Sequence, residues 1–308
     1  MPDRIGLLYE RNGTHEGDYL VSDGTHDRSK SLGKIIAWNG RKTVPSSWWS
    51  TTQASMINGT DGGLVHPYVT KDERIYIFST FICRSIYLTF QKEFDYEGVN
   101  AYKFGVPKDA WNYEKPEHTG YCHKTTKVYF DHQTPGCLPN GLMDLSRCLK
   151  RCLARMGAGK PDIVASMPNF YDAPDSVRNM IEGLDEPNAE SDQIYLVVEP
   201  RLGTLLKASR RLQVNFGIHS GANISNFAYP RMKAGIIPVI TLRENIKIDA
   251  SNLDEIKERL YKVEETAFWT SCLAIMIGSL LIAIGIMCCC CFHRSRTMGT
   301  IKIHDQSI

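Results

Sequence analysis

Residues 267–292 read AFWTSCLAIMIGSLLIAIGIMCCCCF and contain no charged side chain. A helix rises about 1.5 Å per residue, so roughly 20 residues cross the hydrocarbon core of a bilayer, and this run is slightly longer than that. The competing reading is a buried core helix, but helices inside soluble domains rarely sustain so long an uncharged stretch. The run therefore predicts a membrane span. Trp269 stands where an interfacial aromatic belongs, Glu264 and Glu265 precede the run, and His293, Arg294, Arg296 and Lys302 follow it. By the positive-inside tendency, the tail 293–308 is cytoplasmic and residues 1–266 form a lumenal or extracellular domain.

The other end of the chain conflicts with that orientation. It starts MPDRIGLLYERNGTHEGDY, with no basic segment followed by an apolar one, so no signal peptide or anchor is visible. A span placed last does not readily carry a large preceding domain across a membrane. Either the domain stays cytosolic, or a segment upstream of this chain performs the translocation.

Composition narrows the classes of function. With 36 basic and 34 acidic residues the chain presents no overall field for nucleic acid. With 43% hydrophobic residues it can bury a normal core, which argues against disorder. No internal repeat or low-complexity linker appears, so one domain precedes the span.

Five cysteines lie before the span: Cys83, Cys122, Cys137, Cys148 and Cys152, the last four within 31 residues. Such crowding suits a stapled loop in an oxidising compartment. Two other readings stay open: ordinary buried thiols, and a zinc site using Cys148, Cys152 and His132, which lacks the second half of a ligand pattern. The odd count leaves one thiol over. Three N-x-S/T sequons, at Asn12, Asn58 and Asn223, mark candidate glycosylation sites, and the first two precede Gly in turn contexts that favour the surface.

Most of the domain reads as strands: 34–40, 74–81, 85–90, 101–107, two long strands over 194–219 around a turn at Pro200 to Gly203, and 235–245, where Pro238 predicts an edge or a bulge. Two helices are expected. One covers 174–184, with Val177, Met180, Ile181 and Leu184 on one face. The other covers 251–268, capped by Ser251 with Asp254, burying Leu253, Ile256, Leu260 and Val263 and running on into the membrane. The fold class is mainly β with helical insertions (α+β), tethered at its end. No catalytic, cofactor or metal motif survives; GAGKP at 157–161 lacks the Ser or Thr that a phosphate loop needs after Lys160, so the chain is expected not to be an enzyme.

Cys288, Cys289, Cys290 and Cys291 close the span. In a reducing compartment a disulfide there is disfavoured, and helix neighbours about 100° apart cannot converge on one ion. Apolar filler and S-palmitoylation beside basic residues remain, and the second is the expectation. Ala274 and Gly278 offer a weak helix-pairing face for a homo-oligomer.

Several strings point to one family. MINGTDG (56–62), HPYVTKDE (66–73), ICRSIYLTF (82–90), SMPNFYDA (166–173) and VEPRLGTLLKASRRLQVN (198–215) resemble the class B scavenger receptors, and ERNGTHEGDY (10–19) looks most like their lysosomal branch. That resemblance implies two spans, both tails cytoplasmic, and a glycosylated, β-barrel-like ectodomain between them. The chain would then be the C-terminal portion of such a protein, with the barrel incomplete. It also implies disulfides pairing Cys83 with Cys148 and Cys122 with Cys137, and lipid-modified cysteines at the membrane boundary. A third family bridge begins where this chain has Ala54, and Asp192 stands where relatives often carry His. Cys152, in what looks like an insertion, becomes the candidate odd thiol.

The function implied is a membrane receptor that binds lipids or lipoproteins and passes lipid toward the bilayer, at the plasma membrane or in endosomes and lysosomes. The runner-up is a lysosomal receptor that escorts a hydrolase or exports lipid, although the tail HRSRTMGTIKIHDQSI lacks an acidic-dileucine sorting signal. A membrane-tethered hydrolase and a purely adhesive protein are remoter alternatives.

Overall fold

The computed structural model describes residues 13–25, 30–130, 133, 135–149, 162–219 and 234–301, with side chains through Arg294. Asn12, His132, Cys152 and Asn223 lie outside the described residues. Two compact units are present, Met1–Ile248 and Asp249–Ile308.

Among the described residues the first unit holds ten strands, every pairing between them antiparallel. β1 (Tyr19–Val21) and β2 (Ile35–Trp38) form a two-stranded ribbon. The remaining eight make one sheet: β3 (Ile75–Ser79), β4 (Arg84–Tyr96), β5 (Val99–Gly105), β6 (Leu142–Asp144), β7 (Asp162–Ser166), β8 (Tyr195–Glu199), β9 (Thr204–Ile218) and β10 (Gly235–Lys247). The order is β3-β4-β5-β8-β9-β7-β6, with β10 also on β9. Residues 207–209 of β9 pair with both β8 and β10, and residues 213–217 with both β7 and β10. A strand has only two edges, so β7 and β8 lie end to end along one edge of β9 while β10 runs along the other. The path is open, so the described strands form a sheet rather than a closed barrel.

Each expected strand is present, and the differences are physical. β4 continues six residues past Phe90 through QKEFDY, too polar to read as strand, because it pairs with β5 across a Glu97–Gly98 turn with φ +52° and +87°, the conformation that suits hairpin twist. Pro238 sits on β10, whose pairing shifts between Pro238 and Ile240. β1, β6 and β7 were not expected; the first and second are three residues long, too short to show alternation.

Both expected helices are corrected. Over 174–184 only Asp175–Arg178 is helical; the chain turns at Asn179 and again at Gly183 (φ +82°), yet Met180, Ile181 and Leu184 still reach the core from these turns. In the second unit the cap is Asp249, not Ser251: its carboxylate accepts from the Ser251 N–H at 3.2 Å. The helix runs from Ala250 through Ile256, loosens into a π segment at Lys257–Lys262 and resumes as Val263–Ile301. Leu253 and Ile256 are buried, Leu260 is half-buried and Val263 exposed, because the π turn rotates the apolar stripe out of phase.

The core of the first unit packs against both faces of the sheet, and every residue of β8 is buried. Phe104, Leu142, Leu196 and Phe170 are fully buried there, joined by Trp49, Trp111 and Tyr113 from the connecting loops.

Candidate functional site

Two disulfides pin the loops that cover this core. Cys83 joins Cys148 with Cα atoms 6.3 Å apart, and Cys122 joins Cys137 at 5.3 Å. The pairs match those implied by resemblance. Cys148 is therefore no zinc ligand, and among the described residues no group of three or more His, Cys, Asp or Glu side chains is arranged to hold a metal.

Around the staples sits a buried cluster that no sequence motif announced. The Arg84 guanidinium lies 3.3 Å from the Tyr121 ring centroid, and Trp49 stacks on His123 at 5.1 Å and meets Tyr121 edge-on at 5.2 Å. Trp49 donates its indole N–H to the Cys83 carbonyl at 2.7 Å. His123 places Nε2 2.7 Å from the Trp48 carbonyl and Nδ1 3.4 Å from Asp144 Oδ2, the latter an ion-pair contact longer than a good hydrogen bond. Burial opposes ionisation of Asp144, but His123 and the Ser146 N–H outweigh it and hold the carboxyl below its ordinary range. Burial, reinforced by the Arg84 charge, pushes the neighbouring His118 down. A His beside an Asp invites a catalytic reading, yet the other His123 nitrogen is taken by a backbone carbonyl, leaving none to activate a nucleophile. The cluster ties three loops together.

The strings that carry the resemblance prove to be packing locks. In MINGTDG, Gly59 has φ +85°, and a Cβ there would stand 1.8 Å from the Tyr76 carbonyl oxygen. In HPYVTKDE, Tyr68 and Val69 donate backbone N–H groups to the Arg201 and Pro200 carbonyls. The partner string VEPRLGT answers with Gly203, whose Cβ position lies 2.3 Å from the Val65 carbonyl oxygen, and with buried Glu199, which accepts from the Leu202 N–H at 2.7 Å. In SMPNFYDA, Asn169, Phe170 and Asp172 all adopt positive φ, and Asn169 donates to Asp192 at 3.1 Å. Asp192 is fully buried and also accepts from the Asn188 N–H and from Arg243. Burial disfavours its charge, but these donors keep its carboxyl below the ordinary range.

Of the three sequons, Asn58 alone falls among the described residues. It is half-buried, its backbone N–H and carbonyl both bonded to the Ser85 hydroxyl, and Thr60 beside it is buried. The turn expected there is present but less open than a surface turn. Cys288, Cys289, Cys290 and Cys291 are all exposed on the terminal helix, spread around its circumference. Most large apolar side chains of that helix, Phe268, Trp269, Leu273, Ile275, Leu281 and Ile282 among them, are exposed too. Among the described residues it is the one helix long and apolar enough to cross a membrane.

An antiparallel, disulfide-stapled sheet domain followed by such a helix marks a membrane-anchored protein. The chain belongs to the CD36 family, whose family model matches residues 1–289. It is 30% identical to lysosome membrane protein 2 of Homo sapiens over 92% of this chain and 52% of that protein, and 31% identical to the Mus musculus protein of the same name over 82% of this chain and 48% of that protein. It is 28% identical to sensory neuron membrane protein 2 of Anopheles gambiae over 92% of this chain and 48% of that one. The chain thus spans about half the length of the curated relatives it matches. It is a membrane protein of the class B scavenger receptor type.

Proposed function

We propose that this chain belongs to a receptor that binds lipid or lipoprotein ligands through its sheet domain and passes lipid toward the bilayer. Family membership over almost the whole chain is the observation that carries the reading. In this reading residues 1–266 lie outside the cytoplasm, 267–292 cross the membrane and 293–308 are cytoplasmic. Disulfides in the sheet domain and basic residues after the span support that orientation. Asn12, Asn58 and Asn223 are then glycan acceptors, and Cys288, Cys289, Cys290 and Cys291 S-palmitoylation sites beside the cytoplasmic headgroups. The role is binding and transfer rather than turnover, a reading supported by the occupied ring of His123.

The chain reconstituted in lipid nanodiscs should bind a fluorescent fatty acid or a labelled lipoprotein saturably. Uptake no greater than partitioning into empty nanodiscs would overturn the proposal, and esterase turnover abolished by a single pocket substitution would replace it with the hydrolase reading. The similarity to lysosome membrane protein 2 favours an endolysosomal location, and a receptor that escorts a hydrolase there is the second reading. Co-purification of a lysosomal hydrolase with the expressed chain would select it; surface biotinylation of most of the protein would count against it.

A further inference from the structure

The register of the sheet assembles a feature that no stretch of sequence contains. Lys92 on β4 stands opposite Lys103 on β5, Lys103 opposite Val197 on β8, Val197 opposite Lys207 on β9, and Lys207 opposite Lys247 on β10. Cross-strand partners share a face, so four lysines form one row across five strands, about 19 Å long at roughly 4.8 Å per strand. Arg211 on the same face stands opposite Arg243.

Like charges directly opposed across a ladder destabilise a sheet. This face carries three such pairs: Lys92 with Lys103, Lys207 with Lys247, and Arg211 with Arg243. On the other face the cross-strand pair Arg210 and Glu244 is of opposite sign and forms an ion pair at 3.4 Å. The arginines of the basic face are satisfied internally, Arg243 by Asp192 and Arg211 by the Ser191 and Glu244 carbonyls and the Asn245 side chain. The lysines are answered less well. Lys247 reaches Glu97 at 3.0 Å, but Lys103 and Lys207 lie over the Tyr195 ring at 4.3 and 5.7 Å, and Lys92 over Phe94 at 5.2 Å. Among the described residues these three have no carboxylate within ion-pair distance. Burial, followed by repulsion from Lys92 and Lys207, pushes the Lys103 ammonium below its ordinary range, with Glu190 only partly opposing the shift.

We propose that this lysine row is a binding site for a linear polyanion of the sulfated-polysaccharide class. The row is extended and three of its four lysines have no carboxylate partner among the described residues, which suits an extended chain bearing repeated anions. The side chains beside it do not suit a bilayer: Ala101, Tyr195, Val197 and Ser209 are buried, Phe94 is half-buried under Lys92 and Asn245 is polar, so among the described residues no exposed apolar group beside the row is available to enter lipid. The assignment does not depend on the function proposed above.

The test uses the full chain in nanodiscs of zwitterionic lipid over an immobilised heparin oligosaccharide, with its desulfated counterpart as reference. The sulfated form should be bound, weakening as salt rises, and the desulfated form should not. Lys103→Gln with Lys207→Gln should weaken binding at least tenfold, while Lys103→Arg with Lys207→Arg keeps it and Lys34→Gln with Lys42→Gln leaves it unchanged. Neutralising one lysine of each opposed pair removes repulsion, so the glutamine variant should melt no lower than the wild type. Equal binding of both oligosaccharides, or undiminished binding by the folded glutamine variant, would overturn the assignment. So would row-dependent capture of phosphatidylserine vesicles without capture of the oligosaccharide, which would make a lipid headgroup the occupant.

Discussion

Asp172 shows how one residue stores a pH dependence. Its backbone is held at φ +65°, its Oδ2 is buried without a hydrogen-bond partner, and Asn140 Oδ1 is left in the same condition. Burial raises its carboxyl above the ordinary range, with Lys108 only partly opposing the shift. A raised carboxyl favours folding most below its unfolded range, and the benefit is lost as pH rises through the folded value. Asp172→Asn, which tolerates positive φ and carries no charge, should therefore raise the melting temperature near about pH 7, by a gain on the order of 1 kcal/mol. The gain should vanish in acid, where the wild-type carboxyl is also neutral; a gain that persists there would refute the explanation. Asp192 has the opposite sign. Its donors hold it below the usual range, so its contribution is present above that range and lost as pH falls through the folded value. Asp192→Ala should cost about 2 kcal/mol, since it leaves the Asn169 amide and the Asn188 N–H without their acceptor, while exposed Arg243 stays solvated.

At the scale of elements, the staples and the locks act on different loops. The Cys83–Cys148 bridge closes a separation of 65 residues and the Cys122–Cys137 bridge one of 15. Chain-closure entropy assigns them about 4 and about 3 kcal/mol respectively. Replacing the first pair with serine should lower the denaturant midpoint of the sheet domain more than replacing the second; the reverse order would mean that the His123 cluster, not loop length, sets the value of the shorter bridge. Gly59 is legible in the sequence only as a turn residue. Its role is a close approach to the Tyr76 backbone, a packing reason for glycine in MINGTDG that needs no chemistry.

For the molecule as a whole, topology is the central prediction. If residues 1–266 lie outside the cytoplasm, peptide-N-glycosidase should shift the mobility of the membrane-inserted chain, and Asn12→Gln, Asn58→Gln and Asn223→Gln should account for the shift between them. Half-buried Asn58, beside buried Thr60, should be the least completely modified of the three. Metabolic palmitate labelling should disappear when Cys288, Cys289, Cys290 and Cys291 are replaced by serine; full labelling of that variant would move the acyl site elsewhere.

The sequence alone determined what depends on composition over a local window. An uncharged run must be a helix in lipid, β-branched runs must be strands, and long shared strings identify a family. It could not reveal what depends on which strand lies beside which. The helix at 174–184 ended early because packing, not propensity, decided where the chain turns. The His123–Asp144 contact and two of the like-charge pairs join residues 21, 32 and 40 positions apart, and the third, Lys92 with Lys103, depends on a hairpin whose turn reads as polar loop. A charge acquires its meaning from the neighbour opposite it, and only strand register, fixed by the buried face of the sheet, supplies that neighbour.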